Sequence, residues 1–261
     1  MDETALIIIP ARMASTRFPN KPLALIAGKT MIERVWAIGK AVGKEHEVVI
    51  ATDDENLREF AEDFGAKVLM TSASCATGTD RVAEAALHYP QHQIFFSLQG
   101  DAVLTPPWVI EAVLQTMLKD RAIEMATAAV RLKKKALSDF IASKRGGSSS
   151  GTTVVFDRKG DALYFSKAVI PFDRDENNPE RPVYRHIGLY SYRMGVLQQL
   201  NKLPEGPLER SEKLEQLRAL ENGISIRVVE VDYRGRTHGS VDRPEDVPFI
   251  ESVIEREGEL L

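Results

Sequence analysis

Four cations, Arg12, Arg17, Lys21 and Lys29, follow an apolar run from Leu6 to Ile9 and a proline, Pro10. Between them stand small, polar or turn-forming residues: Ala14, Ser15, Thr16, Pro19, Asn20 and Gly28. Guanidinium and ammonium groups held at the end of a rigid strand suit a polyanion such as a nucleoside triphosphate. The carboxyl end of a strand in an open α/β sheet is where such a ligand crevice lies. A solvated basic loop without a ligand is the competing reading, and it fits Lys29 best, which can simply open a helix. Gly28 permits a turn that a side chain would block. The chain has no P-loop, and no dinucleotide fingerprint follows the first apolar run.

The elements that must carry these groups are legible as an alternation. Leu6–Ile9 predicts a strand, and Thr30 to Val42 a helix with Met31, Val35, Ile38 and Val42 on one face and a capping box from Thr30 to Glu33. Val48–Thr52, Lys67–Met70 and Ile94–Gln99 read as strands; Glu55 to Phe64 and Thr79 to Tyr89 read as helices, the first stopped by Gly65. Thr105 can cap a helix reaching Met117, with Pro106 and Pro107 tolerated in its first turn. This pattern predicts an α/β fold, a doubly wound and mostly parallel sheet between two helix layers.

The second half is expected to differ. Met125–Leu132, Thr153–Asp157, Leu163–Phe165 and His186–Tyr192 read as strands with no helices between them, hence as a smaller antiparallel region. Lys133 to Gly151 is cationic and rich in glycine and serine, and Arg174 to Pro182 is a charged loop. Glu209 to Glu221 predicts one helix with Leu214, Leu217 and Leu220 on a broad face and Gly223 as its stop; Ile226–Val231 follows as a strand. Asp242 introduces a closing helix through Glu255.

Composition bounds the function. The chain has 261 residues, 43% of them hydrophobic, enough for a substantial core. A net charge of −4 gives no reason to expect bulk attraction to nucleic acid or to an anionic membrane, so any polyanion site must be local. Cys75 is alone, which excludes an intrachain disulfide and a zinc-binding cysteine cluster, and reads most simply as a buried small hydrophobe. No apolar stretch approaches the roughly twenty residues that cross a membrane. Asp2 and Glu3 stand where a secretory signal would be basic. An intracellular body is expected.

The chain resembles the nucleotide-sugar cytidylyltransferases, and among them the 3-deoxy-manno-octulosonate (Kdo) cytidylyltransferases, the CMP-Kdo synthetases. The likeness runs nearly end to end through IPARMASTRFPNKPLALIAGKTMIERV near the start, VIATDD at 49–54, TGTDR at 77–81, LQGD at 98–101, ALYFSKAVIPFDRD at 162–175, HIGLYSYR at 186–193, PLERSEKLEQLRALENGISIRVVEV at 207–231 and VDRPEDV at 241–247. The resemblance implies a nucleotide-diphospho-sugar transferase sheet and a Mg²⁺-dependent transfer of CMP from CTP to a keto-deoxy sugar acid with release of pyrophosphate. It also implies a cytoplasmic homodimer serving lipopolysaccharide or capsule assembly, with no nucleic-acid partner and no membrane insertion.

By the same resemblance, Ala11, Arg12, Ser15, Arg17, Lys21, Thr52, Ser74, Gly78, Arg81 and Gln99 bind the nucleotide, with Arg12 and Lys21 taking part in catalysis. Asp101 and Asp242 hold magnesium. Gln99, Arg185, His186, Tyr190, Glu215 and Gln216 bind the sugar acid. Residues 1–261 form one nucleotidyltransferase domain: 1–130 mainly for the nucleotide, 131–231 for the acceptor and dimerisation, and 232–261 as a closing metal-site segment and C-terminal helix. Bland alternatives accompany several of these residues. Asp101 can serve an Asx-turn, Asp242 with Glu245 can form a capping box, and His186 can be a strand residue with its ring hydrogen-bonded.

The departures from the family concentrate near the acceptor. Ala102 stands where a glutamate usually follows LQGD, Val103 replaces a proline, KRGGSSSGTT at 144–153 replaces a lysine-bearing run, and Ser240 replaces a glycine. The Ser148–Ser150 run reads either as a lid over the acceptor or as an inert surface loop. A related amino- or other α-keto sugar acid stays open as acceptor, as does a non-catalytic nucleotide-binding homologue.

Overall fold

The protein, a computed structural model, is described for residues 4–14, 17–174, 178 and 181–261. Strand β1 (Ala5–Pro10) is followed by a 3₁₀ turn at Lys21–Leu23 and a two-residue hairpin, β2 (Leu25–Ile26) and β3 (Lys29–Thr30). Gly28, with φ of +80°, makes the turn of that hairpin. Then come α1 (Met31–Lys40), β4 (Glu47–Thr52), α2 (Glu55–Asp63), β5 (Lys67–Met70), α3 (Gly78–Leu87), β6 (Ile94–Ser97), α4 (Pro107–Lys119) and β7 (Met125–Arg131). The remainder holds α5 (Lys134–Arg145), β8 (Thr152–Phe156), β9 (Ala162–Ser166), β10 (Tyr184–Arg193), α6 (Met194–Leu200), α7 (Pro207–Glu212), α8 (Gln216–Glu221), β11 (Arg227–Glu230) and α9 (Val247–Glu257).

The sheet has the order β11-β7-β10-β6-β1-β4-β5, and in that row β10 alone runs against its neighbours. A hairpin of β8 and β9 attaches to Tyr184–His186 at the start of β10, giving the smaller antiparallel region. Both faces of β1 are buried, which is why it reads as an unbroken apolar run. Ala5, Ile7 and Ile9 enter a core shared with α1, α2, α4 and α9; Leu6 and Ile8 enter another shared with α3, α6 and α8. The fold is the doubly wound, mostly parallel α/β sheet that the alternation predicts. From β1 the chain steps outward through β4 and β5, then returns to the other side of β1 as β6. That reversal opens a crevice beyond the carboxyl ends of β1 and β6.

The structure corrects the sequence reading in four places. A helix does separate two of the second-half strands, α5 in the cationic segment between β7 and β8, and a further unexpected helix, α6, follows β10. Lysine is a good helix former, and Leu137, Phe140 and Ile141 give α5 an apolar stripe that meets Leu132, Val169 and Val183. The predicted helix 209–221 is two helices, broken at Lys213, whose φ of 53° is left-handed. Arg218 Nε and Nη2 bond Glu209 at 2.8 and 2.6 Å. In a continuous helix those residues would lie about 13 Å apart along the axis, so the ion pair requires the break. Thr105 is not the cap of α4, which starts from Pro106 without a side-chain cap. Asp242 is likewise not the cap before α9: Asp246 Oδ2 accepts from the backbone of Asp242 at 2.7 Å and of Arg243 at 2.8 Å.

Candidate active site

The crevice between β1 and β6 is a cleft of about 250 Å³. Its floor is the strand ends: Pro10 and Ala11 from β1, Gln99, Gly100 and Asp101 from β6. A Cβ at Gly100 would stand 3.0 Å from the Pro10 carbonyl, so only glycine lets the two ends approach this closely. The opening loop supplies Arg12, Arg17 and Lys21 to the walls, and the start of α3 supplies Gly78 and Arg81. Lys21 begins the 3₁₀ turn, locked by Pro22 and by Leu23 N–H donating to the Asn20 carbonyl at 2.9 Å. Its ammonium donates to Asp101 Oδ2 at 2.7 Å. Arg17 and Asp242 pair across the mouth at 3.9 Å, both well exposed; such a pair contributes little to stability and leaves both groups available. Val241 N–H bonds the Asp101 carbonyl at 3.3 Å, bringing Asp242 beside Asp101 from the far end of the sequence.

The other nucleotide-site expectations divide. Ser15 lies outside the described residues. Ala11 is on the wall, but its N–H is taken by the Ala51 carbonyl at 2.9 Å. Arg81 is on the wall yet almost fully buried, held by Asp53 at 3.1 Å and by the Thr71 hydroxyl. Thr52 is fully buried, its hydroxyl accepting from Asp54 N–H at 3.2 Å, and Ser74 is exposed and paired with Ser72; neither is on the wall. Lys29 is also off the wall, exposed in β3. Thr77 and Cys75, which sequence reasoning passed over as site residues, are also among those that line the cleft. Thr77 caps α3 in a full capping box with Asp80, a pattern visible in TGTDR. Cys75 is half-buried rather than core, hydrogen-bonded to Glu84 at 3.2 Å, with its thiol pushed up to about 11 by burial and then by Glu84. It stays protonated and unreactive at neutral pH.

A second, larger cavity of about 620 Å³ shares Arg17 and Asp242 with the first. Arg185, His186 and Tyr190 of β10 reach its wall, as does Gln216 of α8. Burial lowers Arg185, and its Nε is buried without a hydrogen-bond partner. Gln216 Nε2 is likewise unpartnered. Burial first, then His238 and Lys167, push His186 down to about 3, so its ring is neutral. Thr127 Oγ1 gives its single proton to a carbonyl, that of Leu189 at 2.7 Å; the His186 Nε2 at 2.8 Å is therefore the donor to that oxygen. Glu215 is not on this wall but in a narrow recess behind it with Tyr190, Tyr192 and Gln216, and burial raises its carboxyl. Gln99 is on the nucleotide side only, bonded to Ser97 Oγ at 3.1 Å.

Sequence reasoning missed Lys167, His238, Arg243 and Asp246 on this wall, whereas Ser240, a departure expected near the acceptor, is on it. Ser149 and Ser150 are there, so the serine run does border the cavity. Ala102 is not: it is buried in the apolar core and forms part of neither cavity. Four cations, Arg17, Lys167, Arg185 and Arg243, face two carboxylates, Asp242 and Asp246, across this space. That balance suits an anionic, hydroxyl-rich molecule.

Among the described residues no group of three or more histidine, cysteine or carboxylate side chains could hold a metal ion unaided. Asp101 and Asp242 fit magnesium in another way. Each faces the polyanion cleft, each has an ammonium or guanidinium as its partner, and Mg²⁺ takes one or two carboxylates with phosphate and water.

The comparisons with known proteins agree along the whole chain. A family model described as cytidylyltransferase matches residues 6–226. A 3-deoxy-manno-octulosonate cytidylyltransferase of Maricaulis maris (strain MCS10) is 49% identical over 99% of this chain and all of that one. One from Zea mays is 40% identical over 96% of this chain and 80% of its own length. Among solved structures, a CMP:2-keto-3-deoxy-manno-octonic acid synthetase complexed with CTP superposes with a TM-score of 0.85 at 35% identity, covering 98% of this chain and all of that one.

Proposed function

This chain belongs to the cytidylyltransferases, and from that premise we infer that it transfers CMP from CTP to the anomeric hydroxyl of 3-deoxy-manno-octulosonate, forming CMP-Kdo and pyrophosphate. The observation that carries the reading is the pair of adjoining cavities. One is narrow, cationic and set at the sheet's reversal point; the other is wide and walled by polar groups, with unpartnered nitrogens on Arg185, Gln216 and His238; Arg17 and Asp242 belong to both.

In this reading the triphosphate lies over Arg12, Arg17 and Lys21, and the sugar acid occupies the larger cavity against Arg185, His186, Tyr190 and Gln216. The acceptor oxygen forms a bond to the α-phosphorus as the bond to the pyrophosphate oxygen breaks. The protein's main contribution is positioning and electrostatic stabilisation of that charge shift. Arg12 and Lys21 offset the charge gathering on the leaving pyrophosphate. Lys21 must leave Asp101 to do so, which frees the carboxylate. Asp101 and Asp242 would hold Mg²⁺, which when bound polarises the phosphoryl group and lowers the pKa of the attacking hydroxyl. His186, neutral and tied to Thr127, orients the acceptor without serving as its base.

A division of labour accompanies this: residues 1–130 mainly for CTP, 131–231 for the acceptor and for a homodimer, and 232–261 for the metal site. Assembly, a cytoplasmic location and supply of lipopolysaccharide or capsule synthesis belong to the same proposal through the family resemblance; no described helix is long and apolar enough to cross a membrane. The test is pyrophosphate release with CTP and Kdo, with and without Mg²⁺. Turnover that needs all three supports the reading, and no release with Kdo overturns it.

A further inference from the structure

Residues 236–242, between β11 and a 3₁₀ turn at Pro244–Asp246 that precedes α9, belong to no helix or strand, yet their side chains alternate. Thr237, Gly239 and Val241 turn toward the protein. Thr237 N–H donates to Glu257 Oε2 at 2.9 Å, and its hydroxyl bonds the other oxygen of that carboxylate. A Cβ on Gly239 would stand 3.1 Å from Ile250 Cδ1 and 3.3 Å from Leu104 Cδ1, so the backbone is pressed against the core there. Val241 is fully buried, its N–H on the Asp101 carbonyl. The intervening residues, His238, Ser240 and Asp242, all line the larger cavity. Extended chain puts successive side chains on opposite sides, so three tethers on one side present a fixed row on the other. The guanidinium of Arg236 bonds the carbonyls of Glu257, Gly258 and Glu259, which fastens the near end of the strip.

His238 is the unexplained member of that row. Its Nδ1 is buried and has no hydrogen-bond partner, and the buried Nε of Arg185, on the same wall, has none either. Native proteins rarely leave buried polar atoms unpaired, and the exceptions mark sites completed by something else. Burial first, then the charge of Arg185, push His238 down to about 3, so its ring is neutral and offers one donor and one acceptor. A neutral imidazole matches a hydroxyl, and the neighbouring guanidinium matches a carboxylate. Tyr233 packs edge-on against the ring at 5.6 Å and fixes its plane.

We propose that His238, with Ser240 beside it on the same strip, is a specificity-determining residue that hydrogen-bonds a hydroxyl group of the acceptor sugar acid. This rests on reading the larger cavity as the acceptor site. The role is separate from that of Asp242 two steps further along, because His238 lines the acceptor cavity and not the nucleotide cleft.

The experiment is steady-state kinetics on wild type, His238→Ala and His238→Phe, with Kdo and CTP varied separately, alongside melting temperature and CTP calorimetry. Phenylalanine keeps the ring and its contact with Tyr233 while removing both nitrogens, so it tests hydrogen bonding in a filled site. Both variants are expected to raise KM for Kdo about tenfold or more, the effect of one lost hydrogen bond to a buried partner, with KM and binding affinity for CTP within about threefold of wild type. An unchanged KM for Kdo in His238→Phe overturns the proposal, as does an equal loss of affinity for both substrates. Absence of Kdo turnover by wild type overturns the acceptor reading and this inference together, and is told apart by the wild-type arm alone.

Discussion

Asp101 and Asp242 each meet a cation in the protein, but the two pairs differ in kind. Lys21 and Asp101 are mostly shielded and 2.7 Å apart, whereas Arg17 and Asp242 are exposed and loosely paired. Asp101→Asn and Asp242→Asn are therefore expected to lower turnover by about a hundredfold or more with little change in melting temperature, since an amide is a poor magnesium ligand. Asp246→Ala acts on stability: it strips the acceptor from two backbone N–H groups ahead of α9, a loss of about 1 kcal/mol, and melts roughly 2–4 °C lower. Rates and circular dichroism on the three variants separate the roles. His186 supplies a pH prediction. Folding lowers it from 6.5 to about 3, so between those values the unfolded chain binds the extra proton. Its contribution is intact above pH 6.5 and is lost as pH falls toward 3, by up to about 1.4 kcal/mol per pH unit. Thermal melts from pH 7 to pH 5 check this: His186→Gln should soften with acid less steeply than wild type. The difference between the two isolates this ring from other groups that titrate, such as the raised Glu215.

At the scale of elements, the break between α7 and α8 is held by packing against local preference. Lys213 is left-handed and its distant, exposed contact with Glu205 contributes little. A lysine in that conformation costs about 1 kcal/mol relative to glycine, so Lys213→Gly should raise the melting temperature by roughly 2 °C; a fall would mean that the lysine side chain matters in another way. The break also explains what the sequence could and could not reveal. In β1, β5 and α2 the local pattern and the tertiary environment agree, and their limits are readable within a residue or so. In 207–221 the leucine spacing is helical throughout, and only the reach of Glu209 back to Arg218 tells that the chain turns. α5 was hidden for a different reason, its apolar stripe being diluted by lysines and followed by glycines. The site divides in the same way. Arg12, Gln99 and Asp101 stand just after strands, and Arg17 and Lys21 in the loop that β1 opens into, where chemistry is expected, whereas Lys167 and His238 become site residues only because a hairpin and an irregular strip fold over the cavity. Ala102 shows the converse: adjacent to Asp101 in sequence, it turns into the core.

At the scale of the whole molecule, the cationic cleft accounts for a triphosphate but not for a base. Family membership supplies cytosine, and calorimetry at fixed Mg²⁺ should find CTP bound more tightly than UTP, ATP or GTP. The proposed homodimer is a separate matter of surface. The leucines of 214–220 form a broad apolar face within the region that the resemblance assigns to dimerisation, but Leu217 is fully buried and Leu214 nearly so, both in the core of this same chain. That face is spent. Within 131–231 the large apolar side chains left exposed, among the described residues, are Leu163, Phe172 and Leu208, with Phe172 86% exposed. A two-fold contact buries one patch from both subunits, so a single charge placed there is felt twice and repels its own copy. Light scattering at micromolar concentration should give twice 29.1 kDa for wild type, and Phe172→Asp should shift it toward the monomer while the melting transition remains cooperative. A dimer unaffected by that substitution would move the interface elsewhere; a wild-type monomer would remove it.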